Sequence, residues 1–268
     1  MKIVILGSTG MLGNVVGRYF IERYGEDSVV LSDRNVKLSY GKNRFSFIVG
    51  FDRLDSIPKC DYIINCIGVI KPFIAKNVLR AIQVNSVFPW QLAKYCEENF
   101  IKLIHITTDC VFSGKDGYYA EEDCHDCTDI YGKTKSLGEP DNCMVLRTSI
   151  IGEELHNNAS LISWLKSRKN QEATGYTNHW WNGITTLQYA KICCKIIDFN
   201  LHQNELYHIF SNPINKYDLL KLLNEKFNLN IDIQPFKVNS RVDRTLITTK
   251  HFCKYLDIPS ITQQIEEM

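Results

Sequence analysis

Short apolar runs alternate with stretches of helical spacing along the first 150 residues. Residues 2–6 (KIVIL) form a continuous apolar run of strand length that meets GSTGMLG at once. From 14 to 25, Val15, Val16, Tyr19, Phe20 and Arg23 follow helical spacing, and SVVLSD (28–33) reads as a second strand. Strand, glycine turn, helix, strand is a βαβ unit. The same pattern predicts strands at 45–50, 61–68, 102–112 and 143–151. It predicts a helix at 86–99, with Pro89 acceptable in its first turn, and another opening within 129–139. Fully apolar strands separated by helices imply a parallel sheet covered on both faces. The fold class expected is therefore α/β, a Rossmann-type doubly wound sheet over residues 1–150.

Past residue 151 the pattern loosens. Helices are predicted at 160–170, 185–199 and 216–228, and short strands at 205–210 and 231–236. This half reads as a smaller α+β lid over the carboxyl edge of the sheet. It comprises 151–183 and 211–268, with the helix and strand at about 184–210 returning to the first domain. No repeat, low-complexity tract or flexible linker separates the two parts.

Composition narrows the function classes. The chain has 268 residues, 44% hydrophobic and 23% charged, with a net charge of +1. Those totals fit a soluble globular protein and give no reason to expect a nucleic-acid or membrane partner. No apolar run approaches the ~20 residues of a membrane span. The N-terminal apolar run lacks a small-x-small cleavage site and reads as a buried strand, not a signal peptide. Ten cysteines imply free thiols in a reducing compartment, hence a cytoplasmic location.

Gly7, Gly10 and Gly13 give G-x-x-G-x-x-G between the first strand and the first helix. The first permits the tight turn, the second lets backbone N–H groups approach a pyrophosphate, and the third lets helix and strand pack closely. Thr9, Met11 and Leu12 complete this cofactor loop. At the end of the second strand Asp33 suits a ribose 2′-hydroxyl and so NAD, while Ser32 and Arg34 suit a 2′-phosphate and so NADP. Asp52 is either an adenine contact or a turn residue.

The stretch EEDCHDCTDIYGKTK (121–135) holds Cys124, His125 and Cys127 among acidic residues. A structural zinc site needs four ligands, and no second Cys or His pair accompanies this one, so no metal is expected. Tyr131 and Lys135, four apart, share one helix face. An ammonium near a phenol favours the phenolate and lowers its pKa, which suits a proton donor near neutral pH. Thr107 and Thr108 fall at the carboxyl end of a buried strand, where open α/β sheets bind ligands.

GSTGMLG, ITTDCVFSG, DIYGKTKSLGE and VLRTS together resemble the extended short-chain dehydrogenase/reductase family, in its dTDP-4-dehydrorhamnose reductase branch. CIGVIKP, RTSIIG and TGYTNHWWNGITTLQYAK are similar to a sub-branch acting on UDP-linked 2-acetamido-2,6-dideoxy hexuloses. The resemblance implies an NADPH-dependent reductase, with NADH an option, acting on the C4 ketone of a UDP- or dTDP-linked sugar. By its motifs, Thr108 is the active-site hydroxyl, Tyr131 the acid, Lys135 its partner, and Asn85 supports the lysine. Cys66, Ile67 and Gly68 lie beside the cofactor ribose, and Arg147, Thr148 and Ser149 near the nicotinamide. Cys110 stands where many rhamnose reductases have Tyr, which raises the option of C3 epimerisation with His179 as partner; otherwise it is a small pocket residue.

Lys71, Val111 and Phe112 are assigned to the substrate side. Trp180, Trp181 and Asn182 are either sugar or uracil contacts or packing residues. Arg241 and Arg244 are either a pyrophosphate clamp or surface residues. Homodimers are usual in the family. Two readings compete: a non-catalytic NADP-binding regulatory subunit, which would normally lose the Tyr-x-x-x-Lys pair, and a 4,6-dehydratase, which would carry an acidic pair after the threonine.

Overall fold

The computed structural model describes residues 1–34, 40–156 and 159–268. Its centre is a seven-stranded parallel sheet: β1 (Ile3–Leu6), β2 (Val29–Asp33), β3 (Arg44–Ser46), β4 (Tyr62–Asn65), β5 (Lys102–Thr108), β6 (Met144–Thr148) and, later in the chain, β11 (Leu206–His208). The spatial order is β11-β6-β5-β4-β1-β2-β3. All four residues of β1 and of β4 are buried, as expected for strands covered on both faces. One face carries α1 (Met11–Tyr24) and α7 (Thr186–Asp198), which pack together over Ile3, Ile5, Ile104 and Leu146. The other carries α4 (Phe88–Glu98), through Phe88, Leu92 and Ala93, over Val4, Ile63 and Leu103. The α/β Rossmann-type architecture read from the sequence is the observed one.

Several boundaries differ, each for a local reason. The strand expected at 102–112 stops at Thr108, because Thr108 Oγ1 accepts the Cys110 N–H at 3.2 Å and turns Asp109–Val111 into a 3₁₀ turn. That at 61–68 stops at Asn65, whose Oδ1 takes the Ile67 N–H at 3.1 Å. That at 45–50 ends at Ser46, ahead of a turn closed by Gly50 at φ +78°. Two short helices, α2 (Lys71–Ile74) and α3 (Val78–Ile82), lie where none was expected, and a π-helical turn, Gln83–Val87, joins α3 to α4.

The cap comprises α6 (Leu161–Lys166), α8 (Lys216–Lys226) and α10 (Ile261–Glu266) around Ile162, Leu165, Leu219, Leu223 and Ile261. The short pairs β7 (Ile150–Ile151) with β10 (Ile184–Thr185) and β8 (Glu172–Tyr176) with β13 (Asp232–Phe236) border it. β9 (His179–Trp181) is flanked by β12 (Ile214–Asn215) and β14 (Val242–Asp243). From β14 the chain crosses back over the sheet edge before α9 (Phe252–Leu256). There Tyr119 N–H donates to Thr245 O at 2.9 Å, Ile247 N–H to Tyr119 O at 2.8 Å, and Thr248 Oγ1 to Glu121. Among the described residues, no helix is long and apolar enough to cross a membrane.

Candidate active site

The glycine turn closes β1 onto α1. Gly7 adopts φ +80°, and a side chain there would press on Cys66 and Ile67 at the end of β4. A Cβ on Gly13 would lie 2.2 Å from Gly7 O, so only glycine lets α1 rest against the turn. Gly10 and Gly68 stay exposed, Thr9 and Met11 half-buried, whereas Leu12 points into the core. Thus Leu12 has only its backbone to offer a cofactor.

At the adenosine end, Ser32 is not a phosphate ligand. It is buried, and its hydroxyl accepts the Gly7 N–H at 2.9 Å. Asp33 is half-buried and already engaged. Asp52 resolves as the turn residue, its carboxylate taking the Ile48 N–H. Arg34 is exposed, and it faces a residue the sequence did not single out. Arg80 is anchored to Val49 O and, at 2.9 Å, to Gln83 Oε1. Burial first, and the charge of Arg34 second, hold the Arg80 guanidinium below its ordinary pKa.

The floor lies at the carboxyl ends of β5 and β6. Thr108 Oγ1 donates to Asp109 Oδ1 at 3.1 Å, and its hydroxyl also bonds the Tyr131 phenol. Asp109 is buried and further held by Ser149; burial raises its pKa, and Arg244 opposes that rise. Tyr131 and Lys135 lie on α5 (Ile130–Ser136), capped by Asp129, whose Oδ1 accepts the Gly132 N–H at 2.8 Å. Gly132 allows the helix to approach: a Cβ there would stand 2.3 Å from Cys110 O. Lys135 is buried, donates to Ile106 O at 2.9 Å, and is pushed down to about 8 by burial, with Glu139 pulling upward.

The expected lowering of the Tyr131 pKa is not observed in the chain alone. Burial pushes the phenol up, Cys110, Asp109 and Asp129 act in the same direction, and only the Thr108 bond opposes them. A raised phenol keeps its proton, which is the state a donor needs. Lys71 sits above it, paired with Asp129 at 2.8 Å and 5.7 Å from the Tyr131 ring centre.

Asn85 lies in the π turn, a feature common at functional sites. Its amide bonds both N–H and C=O of Val69, at 2.8 and 2.9 Å, and reaches α5 through Thr134, not Lys135. Behind it His105, unnoticed in the sequence, bridges Asn65 and Gly138 O within the buried layer. Thr107 Oγ1 is buried at the end of β5 without a hydrogen-bond partner. The tight glycine turn, this orphan hydroxyl and the Arg34–Arg80 pair fit a phosphorylated dinucleotide lying across the sheet edge.

Six of the assigned side chains are spent on packing. The Arg147 guanidinium is turned into the interior. It is 2% exposed, and its N–H donors are spent on Glu139 at 3.1 and 2.6 Å, His208 and His125 at 2.8 Å each, and Glu121 O at 3.3 Å. Neighbouring Thr148 is also buried, its hydroxyl turned to Ser149 O. Val111 and Phe112 are fully buried, with Phe112 stacked on Tyr119 at 4.3 Å. Asn182 spends its amide on the Leu246 backbone, at 2.8 and 2.9 Å. Trp181 packs into the cap core, while Trp180 points away to a cavity of about 530 Å³.

The two arginines are also spoken for. Arg241 pairs with the buried carboxylate of Asp243, and Arg244 donates to Phe112 O at 3.0 Å and Ser113 O at 2.9 Å. Within the acidic segment, His125 bonds Ser136 at 2.6 Å as well as Arg147, Cys127 packs against Gly132, and Cys124 is exposed. That segment is a clamp over the sheet end.

A glycine turn at the first strand crossover and a Tyr-x-x-x-Lys helix against the strand ends define a short-chain dehydrogenase/reductase. Residues 1–245 match the family described as RmlD substrate binding domain, and the chain belongs to that family. It is 25% identical to methionine adenosyltransferase 2 subunit beta of Danio rerio, covering 85% of this chain and 74% of that protein. It is 26% identical to the dTDP-4-dehydrorhamnose reductase of Aggregatibacter actinomycetemcomitans, covering 81% and 76%. Similarity to the spore coat polysaccharide biosynthesis protein SpsK of Bacillus subtilis, at 26% identity, covers 52% of this chain and only 47% of that protein. Among solved structures, a hypothetical dTDP-4-dehydrorhamnose reductase from Sulfolobus tokodaii superposes with TM-score 0.78 at 20% identity, covering 97% of each chain. The Bacillus anthracis dTDP-4-dehydrorhamnose reductase in complex with NADP gives 0.75 at 18% identity, covering 99% of this chain and 97% of that one.

Proposed function

We propose that this chain reduces the C4 ketone of a nucleotide-linked 4-keto-6-deoxy sugar with NADPH. One observation carries the reading: the Tyr131 phenol, kept protonated by burial, is bonded to Thr108 at the strand edge one helical turn from Lys135. A reduced nicotinamide supplies the hydride when bound. Tyr131 then gives its proton to the developing alkoxide. Thr108 turns its hydroxyl proton from Asp109 to the same oxygen and stabilises its charge. Lys135, buried behind the phenol, positions the cofactor ribose and restores positive potential at the site. Residues 151–183 and 211–268, apart from α9, whose Phe252 and Leu256 pack into the sheet core, serve as the substrate-binding cap, and the finer substrate is a UDP-2-acetamido-2,6-dideoxy-hexulose or dTDP-4-dehydro-L-rhamnose. The test is NADPH consumption by the full chain with each sugar, the product identified by NMR. NADPH binding with no turnover of either sugar would favour a regulatory subunit, the reading raised by the similarity to methionine adenosyltransferase 2 subunit beta. The retained Tyr131–Lys135 pair speaks against that outcome.

NADPH is preferred over NADH in this reading because Arg34 and Arg80 converge where a 2′-phosphate would lie. Arg34→Ala is expected to weaken NADPH binding roughly 10- to 100-fold, the worth of a charge-assisted hydrogen bond, and to leave NADH nearly unaffected. Equal losses for both cofactors in a titration would remove the 2′-phosphate role.

Epimerisation at C3 is a second reading, favoured by the place of Cys110 beside Thr108. Against it, burial and the neighbouring Asp109 push the thiol up to about 12, so it is protonated near neutrality and a poor base. Any solvent-deuterium exchange at C3 shown by the wild type is expected to persist in Cys110→Ser; its loss in that variant would restore the cysteine as the exchanging group.

A cytoplasmic homodimer belongs to the same proposal. Leu79 (79% exposed), Trp90 and Leu137 lie exposed on and beside the sheet-flanking helices. Sedimentation of the full chain as a monomer would remove the dimer.

A further inference from the structure

Two polar side chains of the cap each keep a nitrogen without a hydrogen-bond partner among the described residues. Lys216 opens α8, behind the Asn215 cap, and its ammonium makes no hydrogen bond or ion pair with any described residue. Lys216 is half-buried, and burial lowers its pKa. The charges that act on it are Asp109 and Cys110, which attract it, and Arg244, which repels it. Asp109 accepts from Thr108 and Ser149, and no ion pair joins it to Lys216 among the described residues. His179 is the second group. Its ring bonds the Ser240 backbone, while Nε2 is buried without a partner. Burial and the positive charges of Lys216 and Arg244 keep this imidazole neutral, so the orphan nitrogen is an acceptor.

A half-buried cation and a buried acceptor, both without partners, cost free energy, and a bound ligand is the natural means of satisfying them. The place indicates which part of the ligand. Asp109 and Cys110 directly follow Thr108, so Lys216 stands beside the point where the reacting carbonyl meets Thr108 and Tyr131. In a sugar nucleotide the phosphate on C1 lies across the pyranose ring from C4. With C4 on the floor, the first phosphate falls about one ring width away, on the cap side. Arg241 and Arg244, the cations expected there, are committed to Asp243 and to the carbonyls of Phe112 and Ser113.

We propose that Lys216 holds an oxygen of the sugar-linked phosphate and that His179 Nε2 accepts from a hydroxyl or amide donor on the same sugar. The pair is a specificity element for a glycosyl diphosphate. It rests on the nucleotide-sugar reading of the site.

The test is calorimetric binding of UDP, dTDP and UDP-N-acetylglucosamine, with and without NADPH, to the full wild-type chain and to Lys216→Met, Lys216→Arg and His179→Phe. Lys216→Met is expected to weaken nucleoside diphosphate binding roughly 10- to 100-fold, with partial recovery in Lys216→Arg. His179→Phe should weaken the sugar nucleotide but not UDP or dTDP, since these lack the sugar donor. With a turned-over substrate, the Lys216→Met loss should fall on KM more than on kcat, the mark of binding common to ground and transition states. Unchanged diphosphate affinity in Lys216→Met, with only a shifted melting temperature or pH profile, would overturn the proposal and leave Lys216 as a counter-charge for Asp109. Wild-type protein that binds NADPH but none of the three nucleotides would overturn the substrate reading itself.

Discussion

Tyr131→Phe is expected to lower kcat by about 10²- to 10⁴-fold, the range for a positioned general acid. The fold should survive. Only the hydroxyl is removed, and its bond is to Thr108, so the stability cost is on the order of 1 kcal/mol. NADPH affinity should move far less than kcat, because the phenol acts on the substrate oxygen and the lost interaction belongs to the transition state. Stopped-flow measurement of NADPH oxidation at saturating substrate checks this. A variant that keeps kcat and loses only KM would mean that the proton comes from elsewhere, and Thr108 would be the next group to change.

Arg147→Met should produce the largest loss of stability. Methionine fills much of the space but leaves Glu139 buried, with His125 Nε2 at 3.6 Å as its nearest remaining basic group. Breaking one side of a buried ion pair costs about 3–5 kcal/mol. For a chain of this size that corresponds to a fall in Tm on the order of 10 °C. The pH dependence has a definite sign. Folded His208 titrates at about 4, held down by burial and then by Arg147, against an unfolded value of 6.5. Between those values the unfolded chain binds more protons, so wild-type stability is full above about 6.5 and declines as pH falls towards 4. Without the guanidinium His208 is held down less, so that decline should be shallower in the variant. Thermal melts at pH 7 and pH 5 measure both effects, and a change of Tm below about 2 °C would show that the network carries little net stability.

These two residues mark what sequence could and could not reveal. Tyr131, Lys135, Thr108 and the three glycines were legible because each chemical demand is met within a few consecutive residues. A helix brings i and i+4 together whatever surrounds it, and a glycine turn is spelled out in one run. Arg147 is the opposite case. Its position inside an apolar strand announced burial, but its partners come from 121, 125, 139 and 208, and no local pattern joins them. Lys216 reads as an ordinary first-turn lysine; only the fold brings it over Asp109. Arg80 lies on a five-residue helix too short to show a period. The cap strands β9, β12 and β14 are two or three residues long, below the length at which alternation is visible. The seven-stranded sheet, by contrast, was legible because burial on both faces imposes runs of apolar residues that need no partner to recognise.

The return of the chain from β14 across the sheet edge has a kinetic consequence. Through Arg244, Thr245, Ile247 and Thr248 it stitches the cap to the loop that follows Thr108. In the proposed reaction the cap would not swing clear on a simple hinge, and product release would require several of these bonds to part together. Cooperative opening of that kind is slow on the scale of bond vibration and commonly falls in the μs–ms range. The turnover ceiling of this protein would then be set by how often the seam unzips, and hydrogen exchange at the Tyr119 and Ile247 amides would count those events.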